Sequence, residues 1–244
     1  MEVAEFHDPR LARLYDQWGT DREDLDFYVA LAGATPLRVL DLCCGTGQIT
    51  VALAERGHSV TAVDAAPAML AIARARPGGT RVTWIEADVR RVQLVGRFDF
   101  VMLSGHAFQA ILGDDDVQAM LRTARSALAP GGRLAFETRN PLARAWEQWT
   151  PAAPPRRLSS AEEGDVEVTA HLRSVRGAFV DGELHYRFTA TGEELVSRQV
   201  LRFPTRDEVL GQLTTSGFSP EVVYGDWDGS PFSEPSPEII FVAR

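Results

Sequence analysis

From residue 37 onward the chain alternates short apolar runs with longer stretches whose apolar positions recur at helical spacing. That is the pattern of parallel strands joined by crossover helices. Strands are predicted at residues 38–43, 59–63, 82–85, 98–103 and 133–137. The helix after the first strand covers about 47–56 and stops at Gly57, a residue suited to the left-handed conformation beyond a helix end. A second helix begins at Pro67, whose fixed φ and missing N–H suit a first turn. A third spans about 115–128 and ends ahead of Pro130, Gly131 and Gly132. Near the N-terminus Leu11, Leu14, Tyr15 and Trp18 share helical spacing, predicting an amphipathic helix.

The alternation breaks after Asn140 and Pro141, where Pro151, Pro154 and Pro155 mark an extended connection. Residues 166–174, 178–190 and 194–203 then alternate in the manner of strands. Asp181-Gly182 and Thr191-Gly192 stand between them as turn signals, predicting an antiparallel β insertion. Thr205 and Glu208 form a capping box that opens a helix ending at Gly217, and strands at 221–224 and 238–242 follow. The expected organisation is one core built from residues 1–150 and 204–244, interrupted by an insertion at 151–203.

Composition narrows the chemistry. A length of 244 residues suits one α/β domain with an elaboration. All 25 basic residues are arginine, which excludes Schiff-base chemistry, a Walker lysine and a lysine general base. The net charge of -9 disfavours a phosphate-tracking surface, so no nucleic-acid partner is expected. Cys43 and Cys44 are adjacent, which rules out an ordinary disulfide within the chain and points to a reducing compartment. Neither lies at metal-ligand spacing from another Cys or His, so no metal is expected. There is no uncharged run long enough to span a bilayer and no basic-then-apolar leader, so a cytoplasmic protein without a membrane partner is expected.

The segment that carries chemistry is residues 39–50, a strand running into a turn of small residues and then a helix. Gly45 and Gly47 leave the backbone open to close approach by a ligand. A dinucleotide fingerprint would need glycine at position 50, which is Thr50. Asp64 closes the second strand, where a carboxylate can accept hydrogen bonds from ribose hydroxyls, and Asp88 follows the third.

The run from Asp41 to Gly47 resembles the glycine-rich first motif of class I S-adenosylmethionine methyltransferases. Residues 62–70 resemble their second motif, 84–89 their third, and 128–134 the turn before their fifth strand. The resemblance implies a Rossmann-like, seven-stranded, mostly parallel α/β sheet with flanking helices and an antiparallel β insertion after the fifth strand. It implies S-adenosylmethionine as cofactor and S-adenosylhomocysteine as product. Asp41 and the loop residues Cys43, Gly45, Thr46 and Gly47 would hold the methionine end, Asp64 the ribose and Asp88 the adenine amino group. Ser104 and Gly105 would pass beneath the sulfonium, while Ala65, Met69 and Val89 complete the implied set. Cys43 stands where the commonest pattern has glycine. Tyr15 with Asp16 resembles a pair that folds over the cofactor, and the insertion resembles the lid of small-molecule methyltransferases.

Ligands of open α/β sheets sit beyond the carboxyl ends of the strands, which makes His106, Arg139 and Asn140 acceptor-side candidates. Trp227, in the loop 225–232, is a further one. His106 could serve as general base or could simply cap the following helix. His171, His185, Tyr186 and Arg187 on the insertion read as its solvated face. The expected activity is methyl transfer to O, N or C of a small-molecule acceptor by a monomer or homodimer. Two alternatives stay open: a cofactor-binding protein without methyl transfer, such as a binding module or cyclase, and an RNA methyltransferase.

Overall fold

The structure, a computed structural model, describes residues 3–17, 22–94 and 97–244, so Trp18 lies outside the described residues. Helices α1 (Ala4–His7) and α2 (Pro9–Leu14) open the chain. Asp8 caps α2 by accepting a hydrogen bond from the Arg10 amide at 2.8 Å, and Pro9 occupies the first turn. A 3-10 turn holds Tyr15–Gln17. Helix α3 (Glu23–Ala32), an element beyond the sequence expectation, starts with Glu23, Asp24 and Asp26, which complement the positive end of its dipole.

Strands and helices then alternate as β1 (Arg38–Leu42), α4 (Gln48–Glu55), β2 (Ser59–Asp64), α5 (Pro67–Ala75), β3 (Thr83–Glu86), β4 (Phe98–Leu103), α6 (Asp114–Ala127) and β5 (Leu128–Arg139). The insertion supplies β6 (Arg156–Ser160), β7 (Gly164–Arg176), β8 (Phe179–Phe188) and β9 (Glu194–Arg202). Helix α7 (Arg206–Thr215), β10 (Pro220–Tyr224) and β11 (Glu238–Ala243) close the chain. The capping box at α7 forms as predicted: Thr205 Oγ1 accepts from the Glu208 amide, and the Glu208 carboxylate accepts from the Thr205 amide at 2.7 Å.

Seven strands form one sheet in the order β10-β11-β5-β4-β1-β2-β3, in which β11 alone runs against the rest. Its central strands are apolar on both faces because helices cover both. On β4, Val101 and Leu103 point into the layer under α6 and α7, where Met120, Leu121, Val209 and Leu213 are buried. Phe100 and Met102 point the other way, against Tyr28 of α3 and Ile49 and Leu53 of α4. Strand order reverses between β1 and β4, the switch point that opens a crevice beyond their carboxyl ends.

The insertion forms a second, antiparallel sheet in the order β6-β7-β8-β9. Two local expectations change here. Asp181 and Gly182 lie inside β8, and the β7–β8 hairpin turns at Gly177, which takes φ +58°. A register shift between Leu172 and Ser174 absorbs the altered pairing. The proline-rich connection yields the further strand β6, paired through Leu158 and Val166. At β5 the strand begins at Leu128 instead of 133: Leu128 already pairs with Phe98, and the positive φ of Gly131 accommodates an irregularity before Arg133 pairs with Phe100.

Tyr186 is buried rather than solvated. It joins Leu158, Val166, Val168 and Phe188 on the face that covers Leu11 and Leu14, while its neighbours His185 and Arg187 point outward to Glu194 and Glu167. The N-terminal helices therefore bridge the two sheets. They share a core with the insertion, and Ala12 packs on Ala66 and Met69 at the start of α5. Gln17 holds Ser159 of β6 through both backbone groups, and the Glu5 amide donates to Ser197 of β9 at 3.0 Å.

Candidate active site

The loop after β1 needs left-handed backbone at Cys43 (φ +59°), Gly45 (φ +54°) and Gly47 (φ +75°). The two glycines serve different ends. A β-carbon on Gly47 would sit 2.6 Å from Trp84 Cη2, so this position is set by packing of the turn on β3. A β-carbon on Gly45 would meet no atom within 4 Å, and one on Gly105 only the Tyr15 hydroxyl at 4.0 Å. Both face the crevice at the switch point. Cys43 and Cys44 are set among apolar neighbours, and burial pushes both thiols up, so neither is an activated nucleophile.

Asp41 is 1% exposed at the end of β1. Its Oδ2 accepts from Thr50 Oγ1 at 2.5 Å, whereas Oδ1 has no hydrogen-bond partner among the described residues. Burial pushes this carboxyl up to about 7, with the Thr50 bond opposing the shift and nearby Asp64 adding to it. A buried carboxylate with a free lone pair is an acceptor that an ammonium group would satisfy, and it fits the methionine amine of the implied cofactor. Asp64 staples the loop: Oδ2 accepts from the Gly45 amide and Oδ1 from the Ala66 amide, both at 2.8 Å. Burial still raises its pKa, opposed by those amides. Ala65 is exposed beside it and Met69 is buried beneath it.

Asp88 is engaged differently. Arg90 binds both of its oxygens, holds its carboxyl below the usual range, and also reaches Asp116 at 2.9 Å. An adenine amino group there would share the carboxylate with this guanidinium. Val89 is buried in the layer under α6. Above the loop, Asp16 accepts from Thr46 Oγ1 and pairs with Arg76, whose Nε donates to the Thr46 carbonyl at 3.1 Å. The N-terminal segment is thereby latched onto the glycine loop.

Beyond β4, Ser104 and Gly105 (φ +69°) lead to His106, itself at φ +58°. Its amide donates to Glu137 Oε1 at 2.6 Å, and Tyr28 donates its hydroxyl to the other Glu137 oxygen. Burial pushes Glu137 up to about 8, the Tyr28 and His106 bonds opposing it. The imidazole Nε2 lies 2.9 Å from Glu238 Oε2. An ionised carboxylate only accepts, so Nε2 carries the hydrogen and Nδ1 is left as the basic nitrogen. Burial, then Arg139, lower the His106 pKa, and Glu238 raises it in part. Trp227 stands edge-on at 6.3 Å from the imidazole and packs on Phe27 and Tyr28.

Arg139 ends β5 and donates to Gln109 Oε1 at 2.9 Å. Asn140 is 1% exposed, and both amide hydrogens are engaged by the Glu234 and Ser236 carbonyls, which fixes the approach to β11. Sequence reasoning did not single out Glu137, Glu238 or Tyr28. The available signal was a carboxylate placed at the edge of an apolar strand run, as in Phe136-Glu137 and Glu238-Ile239.

Residues 39–132 match the family model described as a methyltransferase domain. The Bacillus subtilis (strain 168) protein YqeM is 25% identical over 237 residues, covering 94% of this chain and 90% of that one. The ubiquinone biosynthesis O-methyltransferase of Azotobacter vinelandii is 33% identical over 125 residues, 49% of this chain and 51% of that one, so the chain spans about half the length of that relative. The solved CcbJ methyltransferase of Streptomyces caelestis superposes with a TM-score of 0.75 at 22% identity, covering 96% of this chain and 95% of that one. The strand order and the glycine loop at the switch point agree with this match: residues 39–132 are similar to a methyltransferase domain, and the chain shares the fold of the solved methyltransferase.

Proposed function

We propose that the chain transfers the methyl group of S-adenosylmethionine to a nucleophilic atom of a small-molecule acceptor, with His106 as the base. The observation that carries the reading is the buried, unpartnered Asp41 Oδ1 near the end of β1, with the open positions Gly45 and Gly105 following β1 and β4 where the strand order reverses. When bound, the cofactor supplies a methyl group already activated on sulfur, so the protein's work is alignment, water exclusion and proton removal. Asp41 would hold the ammonium, the Gly45 and Gly105 backbone would line the methionine and sulfonium, and Asp64 would accept from the ribose. The His106 Nδ1 would take the acceptor's proton, its ring oriented by Glu238. The insertion sheet, with the N-terminal helices packed on it, forms the lid that keeps water out.

A net charge of -9 supports a small acceptor over a polyanion, and the Azotobacter relative's name places it in ubiquinone biosynthesis. Among the described residues no helix is long and apolar enough to cross a membrane, and a cytoplasmic enzyme is the corresponding proposal. Incubation with methyl-labelled cofactor and a panel of hydroxyl, amine and carbon acceptors tests the reading. Label should move to one acceptor class with stoichiometric S-adenosylhomocysteine. Tight cofactor binding without transfer to any class would overturn it in favour of a binding role.

A further inference from the structure

Arg139 is placed in an unusual way for this chain. It lies directly across from Glu238 in the β5–β11 register, and side chains opposed across an antiparallel pair share a face. Yet no ion pair forms between them: Glu238 is taken by His106, and Arg139 has no carboxylate within 4 Å among the described residues. Its guanidinium is half-buried and uses Nη1 on Gln109, whose own amide is held by the Arg202 carbonyl of β9 at 3.0 Å. The other N–H donors of a rigid five-donor fork have no described acceptor. Several other arginines meet a carboxylate at contact distance, as Arg90 does Asp88 and Arg198 does Asp181.

The placement has a chemical meaning. Tyr15, His106 and Glu238 all lie within electrostatic reach of Arg139, so the cation stands in the acceptor crevice and not on the outer surface. A cation drawn out of bulk water with no carboxylate in contact is costly, unless a ligand brings the charge to it. Gln109 holds one edge of the fork, which leaves a planar face suited to two parallel N–H···O bonds.

We infer that the acceptor carries a carboxylate, bound by Arg139 with Gln109 orienting the fork, so that its nucleophilic atom is presented to His106. The inference rests on the acceptor site proposed above and adds the chemical class of the molecule that fills it. Glu238 disfavours the anion on its own side of the crevice, because like charge repels it.

Benzoate, its neutral isostere benzamide and inorganic phosphate serve as probes against protein saturated with S-adenosylhomocysteine, read by saturation-transfer NMR. Benzoate should bind about tenfold to a hundredfold more tightly than benzamide, the range for a charge-assisted bond to a buried partner. R139Q should remove that preference, and R139K should recover part of it, since the charge stays while the fork is lost. Thermal shift with S-adenosylhomocysteine reports whether each variant folds and binds cofactor. If the cofactor binds but benzamide equals benzoate, or phosphate outbinds both, or R139Q keeps the preference, the inference is wrong while the methyltransferase reading stands. Failure of the cofactor itself to bind would strike the reading on which the inference rests. Should R139Q fail to fold, Q109A provides the second variant: it frees the fork to swing and should weaken benzoate binding without touching benzamide.

Discussion

Asp41→Asn should separate stability from ligand binding in opposite directions. The Asp41 carboxyl has its pKa raised from 3.8 to about 7 by burial. A carboxyl raised in the folded state stabilises the protein fully below its unfolded pKa, and that contribution is lost as pH rises through the folded value. About three units correspond to roughly 4 kcal/mol surrendered between pH 4 and pH 8, at about 1.4 kcal/mol per unit. The isosteric amide escapes that cost but leaves an N–H group where Oδ1 had none to meet, a penalty of about 1–3 kcal/mol. The net expectation at pH 8 is a gain of about 1–3 kcal/mol, and each kcal/mol raises Tm by about 2–4 °C for a chain of this size. At pH 5 the gain should vanish or reverse, because the wild-type carboxyl is then protonated. Cofactor affinity should move the other way. Loss of a charge-assisted bond to the ammonium weakens S-adenosylhomocysteine by about 1.5–3 kcal/mol, or roughly tenfold to 150-fold. Wild-type affinity should also fall as pH drops below about 7, and the variant should lack that dependence. Differential scanning fluorimetry and titration calorimetry across pH 5–8 read both arms. A variant no more stable than wild type at pH 8 that binds the cofactor equally well would refute the reasoning.

Gly47→Ala should lower Tm by several degrees, since a methyl group at 2.6 Å from Trp84 overpacks the turn at a cost of about 1–3 kcal/mol. Gly45→Ala, with space around it, should cost only the left-handed backbone strain of about 1–2 kcal/mol, a smaller fall in Tm than at Gly47, where the same strain adds to the clash, while impairing cofactor binding in calorimetry; equal effects at the two positions would contradict the distinction. His106→Gln should reduce kcat by about 10²–10⁴-fold with cofactor affinity retained, and should remove the acidic limb of the pH–rate profile. In the wild type that limb should lie below pH 6.5, because burial lowers the imidazole pKa, and a limb that persists in the variant would exclude this base.

Local physics made much of this protein legible in one dimension. The β1 turn, the proline start of α5 and the α7 capping box each follow from neighbours a few residues apart, so spacing alone predicts them. Cys43, Gly45, Thr46, Gly47 and Asp64 come together within one βαβ unit for the same reason. Where a pattern permits two registers, sequence misleads: Asp181-Gly182 has turn chemistry, yet pairing with both β7 and β9 draws it into β8. Strand β6 could not be read from a proline-rich stretch, because its formation depends on a partner edge and on the cover that Leu11 and Leu14 provide. The acceptor side was least legible of all. His106, Glu137, Glu238 and Tyr28 converge across separations of 31 to 132 residues. Whether Glu238 pairs with Arg139 or with His106 is decided by side-chain direction in the folded sheet, and no spacing in the chain encodes it. Tertiary packing likewise leaves Asp41 Oδ1 without a partner among the described residues and the Arg139 fork with Gln109 as its one described acceptor, since an unsatisfied group exists only once the surrounding atoms have been placed.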